Sequence, residues 1–136
     1  MKVTSEWQSG WKFRASNECG IYSFYQGLKK GDIPEAPTPV EAFLQALVSC
    51  SGVDVVSILE KRRKNIDAFR IEVTAERSDS HPKYFTDIHI EYIVSGDGIT
   101  PRDVERAIKL SEEKYCSISA MIDRAKTNIT SSFRIE

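Results

Sequence analysis

The sequence predicts an α+β fold in which strands and helices follow one another in blocks. Three observations carry that expectation. Short stretches near both ends and in the middle alternate apolar with polar residues, as half-buried strands do. One long apolar stretch opens on a helix cap. A second helix shows a single apolar stripe.

The first elements are Val3–Ser5–Trp7 and Trp11–Phe13–Ala15, each alternating with polar residues, with Gln8-Ser9-Gly10 as the hairpin turn between them. A third run, Ile21 to Tyr25, completes an antiparallel meander. Gln26 to Thr38 carries Gly27, Gly31, Pro34 and Pro37, a composition that suits an ordered loop. Thr38 then reads as an N-cap, with Pro39 in the first helical position, where its missing N–H costs nothing. Glu41, three residues after Thr38, completes a capping box.

From Ala42 to Leu59 apolar residues fall on nearly every face of this helix, which therefore needs cover on all sides. One small sheet does not easily supply that, so part of the cover is expected from a second subunit. The stretch is interrupted by Gln45, Ser49, Ser51, Asp54 and Ser57, which argues for a buried helix over a membrane span. The closing run Glu60-Lys61-Arg62-Arg63-Lys64 fits cations at a helix C-terminus better than a nucleic-acid patch, because no aromatic residues interleave with it.

Phe69, Ile71, Val73 and Ala75 form one face of a strand, and Ile88, Ile90, Tyr92 and Val94 one face of the next, joined as an antiparallel hairpin by Ser78 to Lys83. His89 falls on the polar face and His81 in the turn, so both read as solvated. Thr100-Pro101 opens a second helix with Val104, Ala107, Ile108 and Tyr115 on one stripe. Tyr115 to Met121 starts a further short helix, in which Tyr115 and Met121 read as core. Ile129, Phe133 and Ile135 mark a last strand. A chain of 136 residues fits one domain, 1–136.

Composition narrows the function. A net charge of −1 argues against nonspecific binding to nucleic acid or to an acidic membrane surface. No charged segment followed by an apolar one opens the chain, so the expected location is the cytoplasm. There is no glycine-rich phosphate loop, no GxSxG and no metal-spaced His/Cys group, so neither metal nor organic cofactor is expected. The three cysteines, Cys19, Cys50 and Cys116, are too few and too scattered for a disulfide scaffold. They are either inert buried thiols or reactive ones.

Two segments carry a resemblance. Thr38-Pro39-Val40-Glu41-Ala42-Phe43-Leu44-Gln45-Ala46-Leu47-Val48-Ser49-Cys50 resembles the Pro-x-Glu-Leu-Leu-x-Ala-Leu-x-x-Cys helix of the OsmC/Ohr family. Leu110-Ser111-Glu112-Glu113-Lys114-Tyr115-Cys116-Ser117-Ile118 is similar to its second-cysteine helix, in the branch that reads Ser-x-x-Lys-Tyr-Cys-Ser-Val. His81-Pro82 followed by Phe85 to Ile90 resembles that branch's hairpin. The resemblance runs from Thr38 to the C-terminus.

It implies antiparallel sheets around long central helices, in an intertwined homodimer with sites at the subunit interface. It also implies reduction of organic hydroperoxides. Cys50 would attack as thiolate to become a sulfenic acid, Cys116 would resolve it to a disulfide, and a dithiol reductant would restore both thiols.

A free thiol titrates near ~8.5 and only the thiolate attacks, so Cys50 needs a cation nearby. Family members use an Arg held by a Glu. Here the loop before the helix offers Lys29 and Lys30, with Lys30 about where that Arg is expected, and Arg14 lies on the second strand. The Glu that directly follows Pro in the best-known branches is replaced by Val40, and Glu41 comes one residue later, about 100° around the helix. The resulting site is Cys50, Cys116, Glu41 and Lys30. The alternative is a protein of this fold without peroxidase activity, binding a small apolar ligand in the interface cavity.

Overall fold

Alternating residues at the start of the chain build an antiparallel meander of β1 (Val3–Ser9), β2 (Lys12–Asn17) and β3 (Tyr22–Gln26), in that spatial order. The structure, a computed structural model, describes residues Met1–Glu136. The β1–β2 turn is closed by Gly10, at φ 51°, whose carbonyl accepts from the Trp7 indole N–H at 2.9 Å. Register sets Trp7 opposite Phe13 and Phe13 opposite Tyr25, so their side chains share one face.

The loop after β3 is held by Gln26. Its backbone N–H donates to Pro37, its side-chain amide donates to the Ile33 carbonyl, and its Oε1 accepts from Glu35 N–H. The ordered loop expected from the sequence is therefore pinned by one buried amide. These elements and the start of the long helix form one compact unit, Met1–Gln45.

That helix, α1 (Pro39–Lys61), starts where the cap signals place it. Glu41 N–H donates to Thr38 Oγ1 at 3.2 Å, and the Thr38 N–H donates back to Glu41 Oε2 at 2.8 Å. It ends in a Schellman turn: Lys64 N–H bonds to the Leu59 carbonyl and Arg63 N–H to that of Glu60. Arg63 takes the left-handed position at φ 58°, where glycine is usual. Leu47, Ser51, Val55 and Leu59, four residues apart, form the buried stripe of α1. Val53 is 70% exposed, and Phe43 is exposed as well, so the chain alone does not cover the helix. By length and apolarity alone α1 would suffice to cross a membrane.

The second unit, Ala46–Glu136, contains the rest of α1 and a three-stranded sheet ordered β4-β5-β6. β4 (Ala68–Arg77) and β5 (Phe85–Ser95) form the expected antiparallel hairpin, which includes a cis peptide bond at His81-Pro82. β5 is central, and Ile88, Ile90, Tyr92 and Val94 on one face are buried, each worth about 1.5–3 kcal/mol if aliphatic. Gly52 lets α1 approach β4, since a Cβ there would meet Ile71 Cδ1 at 3.1 Å. His89 is exposed, as expected, yet both ring nitrogens are bonded, Nδ1 to Thr130 Oγ1 and Nε2 to Ser132 Oγ.

Two expectations need correction. β6 (Asn128–Ile135) runs parallel to β5, so this sheet is mixed and not antiparallel. The helical segment between the two strands is a crossover long enough to bring the chain back in the same direction. In addition, the second helix does not carry its stripe to Tyr115. α2 (Pro101–Leu110) buries Val104, Ala107 and Ile108, then widens into one π-type turn, Ser111–Tyr115, before α3 (Ser117–Ala120). The wider turn rotates Tyr115 outward, leaving it 50% exposed, and Met121 beyond α3 is 76% exposed, so neither is core within the chain.

Asp103 ties the end of α1 to the start of α2. It completes the Thr100 capping box and takes Arg62 at 3.1 Å and Lys64 at 2.9 Å on a buried carboxylate. The basic run after α1 is thus partly spent inside the chain.

Candidate active site

Cys50 and Asp54 sit one turn apart on the same face of α1, the spacing at which helical side chains are neighbours. Cys116 reaches them from the other end of the second unit. The π-type turn ends as Cys116 N–H bonds to the Ser111 carbonyl at 2.9 Å, and the chain leaves the helix with Cys116 extended at φ −70°, ψ 100°. Such turns commonly accompany functional sites because they re-aim a side chain. Here the turn places the Cys116 sulfur so that it, the Cys50 sulfur and an Asp54 oxygen all lie within 4.8 Å of one another.

The two thiols differ in setting. Cys50 is half-buried, while Cys116 is only 4% exposed. Burial pushes the Cys116 thiol up to about 11, and neighbouring Cys50 and Asp54 push the same way; only the Ser119 N–H, donated to Sγ at 3.4 Å, opposes them. Cys116 is therefore protonated at neutral pH. Ser119 is itself held by Arg124, whose Nη2 donates to its hydroxyl at 2.7 Å.

Behind the cysteines runs a buried chain of hydroxyls. The Tyr92 hydroxyl lies 2.5 Å from Ser51 Oγ, which lies 3.1 Å from Ser111 Oγ, and Ser111 donates to Asp54 Oδ2 at 3.0 Å. Since Ser111 spends its one hydrogen on Asp54, it accepts from Ser51, and Ser51 in turn accepts from Tyr92. The order of donation is thus fixed along the chain. Burial keeps Tyr92 protonated, with its pKa pushed up to about 12 against the pull of the Ser51 hydrogen bond. Asp54, Ser51, Ser111 and Tyr92 were not among the residues singled out from the sequence. Asp54 alone left a signal there, as a carboxylate interrupting an apolar helix one turn after a cysteine.

The remaining expected site residues lie in the first unit. Glu41 is occupied by its cap: the Thr38 N–H and then the Thr38 hydroxyl hold its carboxyl below the ordinary range. Lys30 is exposed in the loop and forms no ion pair with Glu41. Lys29 rests its ammonium over the Trp11 ring at 4.6 Å from the centroid. Arg14 is paired with Glu6 across the β1–β2 ladder and lies over Tyr22. Cys19 is exposed beside Gly20 in the β2–β3 turn.

The chain is similar along its length to known proteins. The sequence profile of the family described as OsmC-like protein matches residues 30–132. Protein YhfA of Escherichia coli (strain K12) is 37% identical over 135 residues, covering 99% of this chain and 98% of that protein. A hypothetical protein from Aquifex aeolicus VF5, of known crystal structure, superposes with a TM-score of 0.83 at 31% identity, over 99% of this chain and 96% of that one. The organic hydroperoxide resistance protein OhrB of Bacillus subtilis shares the fold at a TM-score of 0.64 and 15% identity, over 98% of this chain and 96% of its own. With two cysteines meeting where the family profile lies, and YhfA matched from end to end, the chain belongs to the OsmC family.

Proposed function

We propose that the protein is a cysteine-based reductase of organic hydroperoxides. The observation that carries this reading is the approach of the Cys50 and Cys116 sulfurs to within 4.8 Å, which a small side-chain movement turns into a bond. Half-buried Cys50 is the thiol that a peroxide can reach, and buried Cys116 is the one that waits. The Cys50 thiolate attacks the peroxide oxygen, the O–O bond breaks, and the alkoxide takes a proton to leave as alcohol. Cys50 is then a sulfenic acid. Cys116 attacks its sulfur, water leaves, and a disulfide forms. An external dithiol restores both thiols by exchange. The peroxide supplies the oxidising equivalents, so the cycle requires no cofactor.

Lys30 and Glu41 belong to this reading as the groups that would polarise the site in an assembled homodimer. The exposed apolar residues of α1 support such an assembly, which would also supply the cover that the chain itself does not. The cytoplasm is the compartment that suits a pair kept reduced between turnovers. A second reading is binding of a small apolar ligand without peroxide chemistry. It is favoured by an apolar groove of about 650 Å³ in the first unit, lined by Trp7, Trp11, Phe13, Tyr25 and Ala42.

Turnover of cumene hydroperoxide with a dithiol reductant separates the two. Activity lost in Cys50→Ser, with a trappable sulfenic acid accumulating in Cys116→Ser, supports the reductase. Wild-type rates no greater than those of Cys50→Ser would leave the binding reading.

A further inference from the structure

We infer that the reduced site is also a three-ligand site for a thiophilic divalent cation of the zinc class, bound by Cys50 Sγ, Cys116 Sγ and one oxygen of Asp54. The three donor atoms lie within 4.8 Å of one another, and each pair needs to close by no more than about 1.3 Å to share one ion at ordinary zinc–sulfur and zinc–oxygen lengths. Cys50 and Asp54 are fixed relative to each other by one helical turn of α1, and Cys116 is fixed by its backbone bond to Ser111.

The surroundings have the form of a second layer of metal ligation. Ser111, backed by Ser51 and Tyr92, holds Asp54 Oδ2 and orients the carboxylate, and the Ser119 N–H donates to the Cys116 sulfur. Charge points the same way. On binding, the ion displaces the thiol protons, so that two thiolates and Asp54, which forms no ion pair, together offset its charge. Of the cations that share a groove with Asp54, Arg62 is committed to Asp103, and neither Lys61 nor Arg106 is ion-paired with Asp54. Soft sulfur donors select zinc-class ions over magnesium or calcium. Three protein ligands leave a fourth position open.

Cation and disulfide exclude each other, because each needs both sulfurs. A bound ion therefore masks the thiols, and oxidation of the pair by a hydroperoxide, which takes the two electrons and leaves as alcohol and water, releases it as the disulfide forms. The sequence hides this site because Cys116 joins the other two ligands only through the fold.

The test is titration of the reduced chain with Co²⁺, reading sulfur-to-cobalt charge-transfer absorption, followed by displacement with Zn²⁺. One ion per chain is expected, with the band lost in Cys50→Ser and in Cys116→Ser and unchanged in Cys19→Ser. Asp54→Asn should weaken binding at least about tenfold, and Ser111→Ala, which keeps all three ligands, about tenfold. No band at stoichiometric cobalt in the fully reduced wild type would overturn the inference, as would a band that persists in either Cys50→Ser or Cys116→Ser, or one that Asp54→Asn binds undiminished. The cobalt signal does not depend on peroxide chemistry. A chain inert to peroxide that binds the ion would remove the reductase and leave this site standing.

Discussion

Cys50, half-buried on α1, and Cys116, buried at the start of α3, hold their sulfurs within 4.8 Å of each other although they lie on different elements of the second unit. Their unequal exposure has a direct consequence for labelling. A bulky maleimide added to the native reduced chain should modify exposed Cys19 first and Cys116 last. A mass-spectrometric time course checks this, and labelling of Cys116 as fast as Cys19 would contradict the burial that the π-type turn creates.

The hydroxyl chain behind the cysteines should be a stability element as well as a positioning one. Tyr92→Phe removes the first donor and leaves Ser51 Oγ without it in a buried place. A loss of about 1–2 kcal/mol is expected in urea unfolding. Ser111→Ala should cost at least as much, because it deprives both Ser51 and Asp54.

Asp103 makes part of the stability depend on pH. Its carboxyl is held well below the ordinary range, first by the Thr100 hydroxyl and then by the Lys64 ammonium. A free carboxyl of this kind titrates near ~3.9, so as pH falls the unfolded chain takes up its proton first. The stabilisation is complete above that value and is lost as pH falls toward the depressed folded value. Asp103→Asn should destabilise by about 1–3 kcal/mol at neutral pH. The gap between wild type and variant should narrow toward pH ~3, as unfolding curves at several pH values would show.

Gly96 follows β5 where the chain passes Asn65 closely. A Cβ there would fall 2.0 Å from the Asn65 carbonyl oxygen, a backbone atom that cannot step aside. Gly96→Ala should therefore lose about 2 kcal/mol or more in thermal or denaturant unfolding. Gly98→Ala is the control, because no atom lies near its added Cβ, and its cost is that of a residue at φ 68°.

Most of the elements could be read from the chain because they are written locally. The Thr38-Pro39-Glu41 cap starts α1 where expected, Thr100 and Pro101 start α2, and two-residue alternation marks β4 and β5. What could not be read depends on the fold. The register of α2 stays regular in sequence through Tyr115, yet its ladder widens at Ser111, and that change exposes Tyr115 and turns Cys116 inward. The parallel pairing of β6 depends on a crossover, which residue patterns within the strand do not encode. Both cysteines of the site were legible through the family motif. Asp54 and its hydroxyls were not, because Ser51, Tyr92 and Ser111 look like ordinary core residues until Ser111 meets Asp54.

The measurement that bears most directly on the proposed redox pair is peptide mapping of the reduced chain after one equivalent of cumene hydroperoxide. A Cys50–Cys116 disulfide should form within seconds, with Cys19 left free, and should be absent from Cys50→Ser. Both thiols still reduced after minutes, or a disulfide routed through Cys19, would contradict the assignment of Cys50 and Cys116 as a redox couple.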